Sequence, residues 1–209
     1  MKIRPFLTTI LFLSLSFTCF ATKHIIFLHN KFLETHTLND DHPQYGKVEL
    51  NKINLKFKNA GFNVISNRRL PNRRLQEYTN TVISQIDSIL DKHSSDTITV
   101  IGTSKGGYIA QMVSTQLNNP KLNFVFIGCF QDSDVKEYPN INFCGNILTI
   151  YEKSDPFGVS AIKRKQTSKL AIPNFKEVEL NTGLNHGFLF QALEAWINPC
   201  IKWAKNDYK

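Results

Sequence analysis

The chain has 209 residues, 42% of them hydrophobic and 20% charged, with a formal net charge of +8. That length agrees with one domain, and the absence of any internal repeat or low-complexity tract in the sequence excludes repeat and compositionally biased architectures. Beyond the N-terminus no stretch of sequence is apolar enough to span a bilayer, and the cysteine spacing resembles no zinc site.

In chain order, Lys2 and Arg4 precede an apolar run from Phe6 to Phe20 that closes on Cys19-Phe20-Ala21. A basic start, a short apolar core and small residues at the first and third positions before the junction read as a secretory signal over residues 1–21, cleaved after Ala21. A membrane anchor needs about 20 apolar residues, more than this run offers. Residues 22–209 are then the mature domain, secreted or periplasmic. In that compartment Cys129, Cys144 and Cys200 are open to two readings: a bridge between Cys129 and Cys144 across one connection, or three buried apolar residues.

Strands are predicted at His24–His29, Phe62–Asn67, Thr97–Gly102, Asn123–Gly128, Asn146–Tyr151 and Phe175–Leu180. Helices are predicted between them. Gln44–Ala60 places Val48, Leu50, Ile53, Leu55 and Phe57 on one face and stops before Gly61. Thr79–His93 repeats apolar residues at helical spacing, Gly107–Leu117 is a further helix, and Phe188–Lys205 carries Phe188, Ala192, Ala195, Trp196 and Trp203 as a core stripe. Alternation of this kind calls for a mostly parallel sheet of about six strands with helices on both faces. The run Asn67-Arg68-Arg69-Leu70-Pro71-Asn72-Arg73-Arg74 admits a patch for nucleic acid, anionic lipid or cell-wall polymer. No aromatic residue interleaves with the arginines, so it reads as a solvated loop and no nucleic acid partner is expected.

Chemistry concentrates at Gly102-Thr103-Ser104-Lys105-Gly106, a Gly-x-Ser-x-Gly turn with a β-branched strand before it and a helix after it. A sharp strand-to-helix turn lifts its serine clear of the sheet, and the helix start favours a developing anion there. Asp155 follows the strand ending at Tyr151, and His186 lies in the loop after Leu180. The order Ser, Asp, His, each just past a strand, suits a nucleophile, an orienting acid and a base. Asp132 and Asp134 compete for the acid role from the end of another strand; His24, His29, His36, His42 and His93 are poorer bases by position. The turn lacks the spacing of a phosphate-binding loop.

From His24 onward the chain resembles a small member of the α/β-hydrolase superfamily, with no single family identified. The resemblance implies a three-layer α/β-hydrolase sandwich and assigns Ser104, Asp155 and His186 as catalytic. It also implies an oxyanion hole made by the backbone N–H groups of Lys31 and Lys105. Relatives carry a His-Gly turn where this chain has His29-Asn30, and Asn tolerates positive φ better than other non-glycine residues. The implied activity is that of a secreted serine hydrolase of carboxylesterase or thioesterase type, working through an acyl-enzyme on small or accessible esters without metal or organic cofactor. A peptidase or amidase would use the same triad, and a catalytically silent binding protein would keep the same fold. Only a short connection fits between Gly128 and Asn146, where lid helices are usual, so a lidless, open site is expected.

Overall fold

The structure is a computed structural model describing residues 21–209; the expected signal sequence lies outside the described residues except for Ala21. In chain order the elements are β1 (Lys23–Leu28), α1 (Phe32–Thr35), β2 (Asp41–His42), β3 (Gly46–Lys47), α2 (Leu50–Asn59), β4 (Asn63–Ile65), α3 (Leu75–Lys92) and β5 (Thr97–Thr103). They continue with α4 (Lys105–Leu117), β6 (Asn123–Ile127), α5 (Asp134–Glu137), β7 (Asn146–Glu152), α6 (Ile162–Thr167) and β8 (Phe175–Leu180). A 3₁₀ turn (Asn185–Phe190) and α7 (Glu194–Ala204) complete the chain. Six strands form one sheet in the order β4-β1-β5-β6-β7-β8, every neighbouring pair parallel. This is the sheet the sequence predicted.

Side chains alternate across a strand, and the register turns that alternation into two cores. Phe27, Ile101, Val125 and Leu148 lie level with one another and face the core shared with Ile53 and Phe57 of α2 and Trp196 and Trp203 of α7. One residue earlier, Ile26, Val100, Phe124 and Ile147 form a second level row, facing Val82 and Ile86 of α3 and Ile109 and Val113 of α4. Three layers result. No helix among the described residues is long and apolar enough to cross a membrane.

Several boundaries differ from the sequence reading for local reasons. The helix expected from Gln44 begins at Leu50, because Gly46 takes φ +72° at the start of β3, where it pairs with His42; Leu55, expected in its core stripe, is exposed. Helix α3 starts at Leu75 rather than Thr79, four residues that bring Tyr78 into the core. The final helix does not start at Phe188. Glu49 accepts the Ala192 N–H at 2.9 Å and the Trp196 indole donates to the Gln191 carbonyl at 3.1 Å, holding that backbone extended between the 3₁₀ turn and α7. Phe188 is buried in the 3₁₀ turn, whereas Ala195 is exposed.

Cys129, Cys144 and Cys200 are free and buried, with no bridge between Cys129 and Cys144. Parallel strands explain this: a crossover leaves β6 at its C-terminal end and enters β7 at its N-terminal end, so Cys129 follows one strand and Cys144 precedes the other at opposite ends of the pair, where Gln111 of α4 donates to the Cys129 carbonyl and Ser114 to the Cys144 carbonyl. The arginine run is also more than a solvated loop. Arg68, Arg73 and Arg74 are exposed, but Arg69 is 3% exposed and sits among backbone carbonyls near the C-terminal end of β1.

Trp196 is fully buried with Phe27 and Phe57 at ring-centroid distances of 6.5 and 6.3 Å. Trp196→Ala is expected to destabilise the fold by about 3–5 kcal/mol, read as a lower urea midpoint followed by the remaining Trp203 fluorescence.

Candidate active site

Ser104 sits between β5 and α4 at φ 51°, ψ −121°, a conformation that strains a residue with a Cβ by about 1–3 kcal/mol. The turn is held from three directions: the Ser104 N–H donates to the Ile127 carbonyl at 2.9 Å, and the Ser104 carbonyl accepts from Gly107 at 2.8 Å and Tyr108 at 3.3 Å. Two glycines make it sterically possible. A Cβ on Gly102 would overlap the Gly106 carbonyl, and one on Gly106 would overlap the Leu28 carbonyl of the neighbouring strand. Helix and strand therefore approach more closely than any side chain permits.

Around that serine the ends of three strands converge. The His186 imidazole accepts from the Ser104 hydroxyl at Nε2 (3.0 Å) and donates from Nδ1 to Asp155 Oδ2 (2.7 Å). The carboxylate at Nδ1 selects the tautomer that leaves Nε2 free to take a proton. Asp155, itself buried, accepts the Phe157 N–H at 2.9 Å through Oδ1. The His186 ring lies between Phe157 and Tyr45, with centroids at 5.6 and 6.3 Å. Asp132 is exposed, and Asp134 is occupied by the Tyr108 hydroxyl at 2.9 Å; neither meets His186.

Sequence reasoning missed a second carboxylate in this region. Glu152, fully buried at the end of β7, accepts Ser154 Oγ at 3.0 Å through Oε1, and the Thr182 N–H at 2.9 Å and hydroxyl at 2.8 Å through Oε2. Ser154 Oγ in turn accepts the Asn185 N–H at 3.1 Å. Burial pushes the Glu152 carboxyl up, but these hydrogen bonds outweigh it and hold the group below its ordinary range. Glu152 thus ties the loop carrying Asp155 to the loop carrying His186.

Lys31 and Lys105, the two expected donors, have backbone N–H groups with no acceptor among the described residues. Asn30 is not among the positive-φ residues, so the left-handed turn expected there is not used. The peptide is held by side chains instead. The Asn30 carbonyl accepts from His29 Nδ1 at 2.6 Å and from Arg69 Nη2 at 3.2 Å, and His29 Nε2 accepts the Arg69 N–H at 2.9 Å. Burial, then the Arg69 charge, push the His29 imidazole down to about 4.

A pocket of about 320 Å³ opens beside Ser104 and His186, walled by Phe32, His36, His42, Tyr45 and Phe190, with Asn30 and Lys31 at the serine. The rings are packed against one another: Phe32 stacks on His36 at 4.1 Å, His42 on Tyr45 at 4.5 Å, and Phe190 meets Tyr45 at 5.3 Å. The connection after β6 holds only the four-residue α5, as expected. The β2–β3 hairpin supplies His42 and Tyr45 to the pocket wall, and its part from Gln44 onward is the segment read from sequence as the start of a helix.

The profile of an uncharacterised protein family, UPF0227, matches residues 58–126. No curated protein sequence matches the chain. Among solved structures, the chain is similar to dienelactone hydrolase from Anabaena variabilis at 15% identity, with 90% of this chain and 88% of that one covered and a TM-score of 0.62. A protein of unknown function from Agrobacterium tumefaciens, proposed to be an α/β hydrolase, aligns at 17% identity over 88% of this chain and 85% of that one, TM-score 0.59. An α/β serine hydrolase without a lid from Xanthomonas campestris aligns at 12% identity over 90% and 84%, TM-score 0.57. These likenesses establish the α/β-hydrolase fold.

The depressed His29 value makes stability depend on pH in a defined direction. The unfolded chain takes up this proton near pH 6.5 and the folded chain only near 4. The contribution is full above 6.5 and is lost as pH falls toward 4, about 3 kcal/mol in all. A series of melting temperatures from pH 7 to 4 is expected to fall for the wild type, with the part due to this residue removed in His29→Asn.

Proposed function

We propose that the protein is a serine hydrolase acting on small or accessible carboxylic esters or thioesters through an acyl-enzyme. The observation that carries this reading is the continuous hydrogen-bonded chain from the strained Ser104 hydroxyl through His186 to buried Asp155. Ser104 Oγ attacks the carbonyl carbon while its proton passes to His186 Nε2. The carbonyl π electrons move onto oxygen, and the Lys31 and Lys105 N–H groups receive the oxyanion, each donor contributing about two to three orders of magnitude in rate. As the tetrahedral centre collapses, the bond to the leaving group breaks and His186 returns the proton to the departing alcohol or thiol. Water, deprotonated by the same imidazole, then cleaves the acyl-serine and restores the hydroxyl. Asp155 keeps the ring oriented and stabilises the imidazolium without taking its proton.

The pocket volume and its aromatic walls support short or flat acyl groups. The first 21 residues support export to the periplasm or the medium, so the substrate is one met outside the cytoplasm; N-terminal sequencing of the mature protein should begin at Thr22.

A fluorophosphonate probe is expected to label the wild type at Ser104, and Ser104→Ala to abolish both labelling and hydrolysis of p-nitrophenyl acetate. Asp155→Asn should lower kcat by about four orders of magnitude with the fold intact. A folded wild-type protein that takes no label and turns over no ester in a p-nitrophenyl chain-length series would overturn the assignment.

A further inference from the structure

We infer that Glu34, Arg69 and Lys105 form a buried ionic clamp that positions the oxyanion hole, setting its two backbone donors relative to each other. The inference rests on the serine-hydrolase reading. Glu34 lies one turn into α1, its N–H donating to the carbonyl of Lys31 at 3.0 Å. Its Oε1 accepts Arg69 Nε at 3.0 Å and its Oε2 accepts Lys105 Nζ at 2.6 Å. Lys105 therefore takes part twice: its main chain offers one donor, and its side chain runs to the helix that carries the other.

Arg69 fixes the direction of the second donor. The Asn30 carbonyl and the Lys31 N–H belong to one planar trans peptide and point opposite ways. Pinning the carbonyl oxygen with Arg69 Nη2 and His29 Nδ1 thereby aims the N–H. Arg69 Nη2 also holds the preceding His29 carbonyl. A cationic donor on the oxygen side polarises the peptide and strengthens its N–H as a donor. Two cations against one carboxylate leave one net positive charge on the cluster that holds the segments carrying the two donors. Buried ion networks are costly relative to apolar packing, so one that joins both halves of a site has its clearest use in geometry. Glu34 and Arg69 are 4% and 3% exposed, which keeps that pair out of competition with water.

The test compares Arg69→Met and Lys105→Met with the wild type, using p-nitrophenyl acetate turnover and the Ki of an alkyl trifluoromethyl ketone, whose adduct with Ser104 carries the oxyanion. Losses of kcat/KM of about 100-fold for Arg69→Met and about 10-fold for Lys105→Met are expected, with KM within about threefold and ketone affinity weakened in proportion. Arg69→Lys, which cannot span the two carbonyls, should recover little. A role in folding alone would lower the melting temperature and leave the ratio of ketone affinity to KM unchanged. Folded variants that keep kcat/KM and ketone affinity within threefold, or lose only KM, would overturn the clamp. Should Arg69→Met fail to fold, Lys105→Met decides, since that side chain is a quarter exposed and its backbone N–H survives. Failure of the underlying reading appears separately, as a wild type that neither hydrolyses the ester nor binds the ketone, and takes the clamp with it.

Discussion

Six strands running the same way leave all their C-terminal ends on one rim of the sheet, and the remainder of the molecule follows from that constraint. Ser104 follows β5, Asp155 follows β7, His186 follows β8, and the Asn30–Lys31 peptide follows β1. Residues up to 156 positions apart in the chain are brought together without any long-range pairing beyond the ladder itself. The two apolar rows that cross the sheet make its register expensive to change, because a one-residue slip would exchange its two faces. Rigidity in the sheet is what lets a strained serine persist at its rim.

Within that frame, buried carboxylates supply the finer positioning. Asp155 holds the His186 imidazole, Glu152 joins the two loops that carry Asp155 and His186, and Glu34 joins the segments that carry the unpaired N–H groups of Lys31 and Lys105. Each has its oxygens occupied by several donors, which is the condition under which burying a negative charge is tolerable. The loops of the site are thus given defined geometry by polar side chains of the strand ends, the loops themselves and α1.

What the sequence disclosed was what is encoded locally. Strand runs such as Asn146–Tyr151, the glycine pattern around Ser104 and the order of Ser104, Asp155 and His186 each lie within a few neighbouring residues, and the structure brings those three side chains into one hydrogen-bonded chain. Partnerships across distance were invisible. Nothing beside Glu34 announces that its partner lies 35 residues on at Arg69, and Arg69 is hidden in a run whose other arginines are exposed. An apolar stripe could not separate α2 from the hairpin before it, since Val48 is buried in either arrangement and only the positive φ of Gly46 distinguishes them. The substitution of Asn for glycine at position 30 suggested left-handed backbone, but the turn is set by what grips its carbonyl.

The three thiols sit in the core, Cys129 and Cys144 held toward opposite ends of the sheet, and burial pushes all three up so that little thiolate forms. Among the described residues no covalent staple therefore holds the fold together. Under oxidising conditions the unfolded chain would expose Cys129, Cys144 and Cys200, whereas the folded chain buries all three. The yield of native molecules then becomes a race between compaction and oxidant, decided by timing.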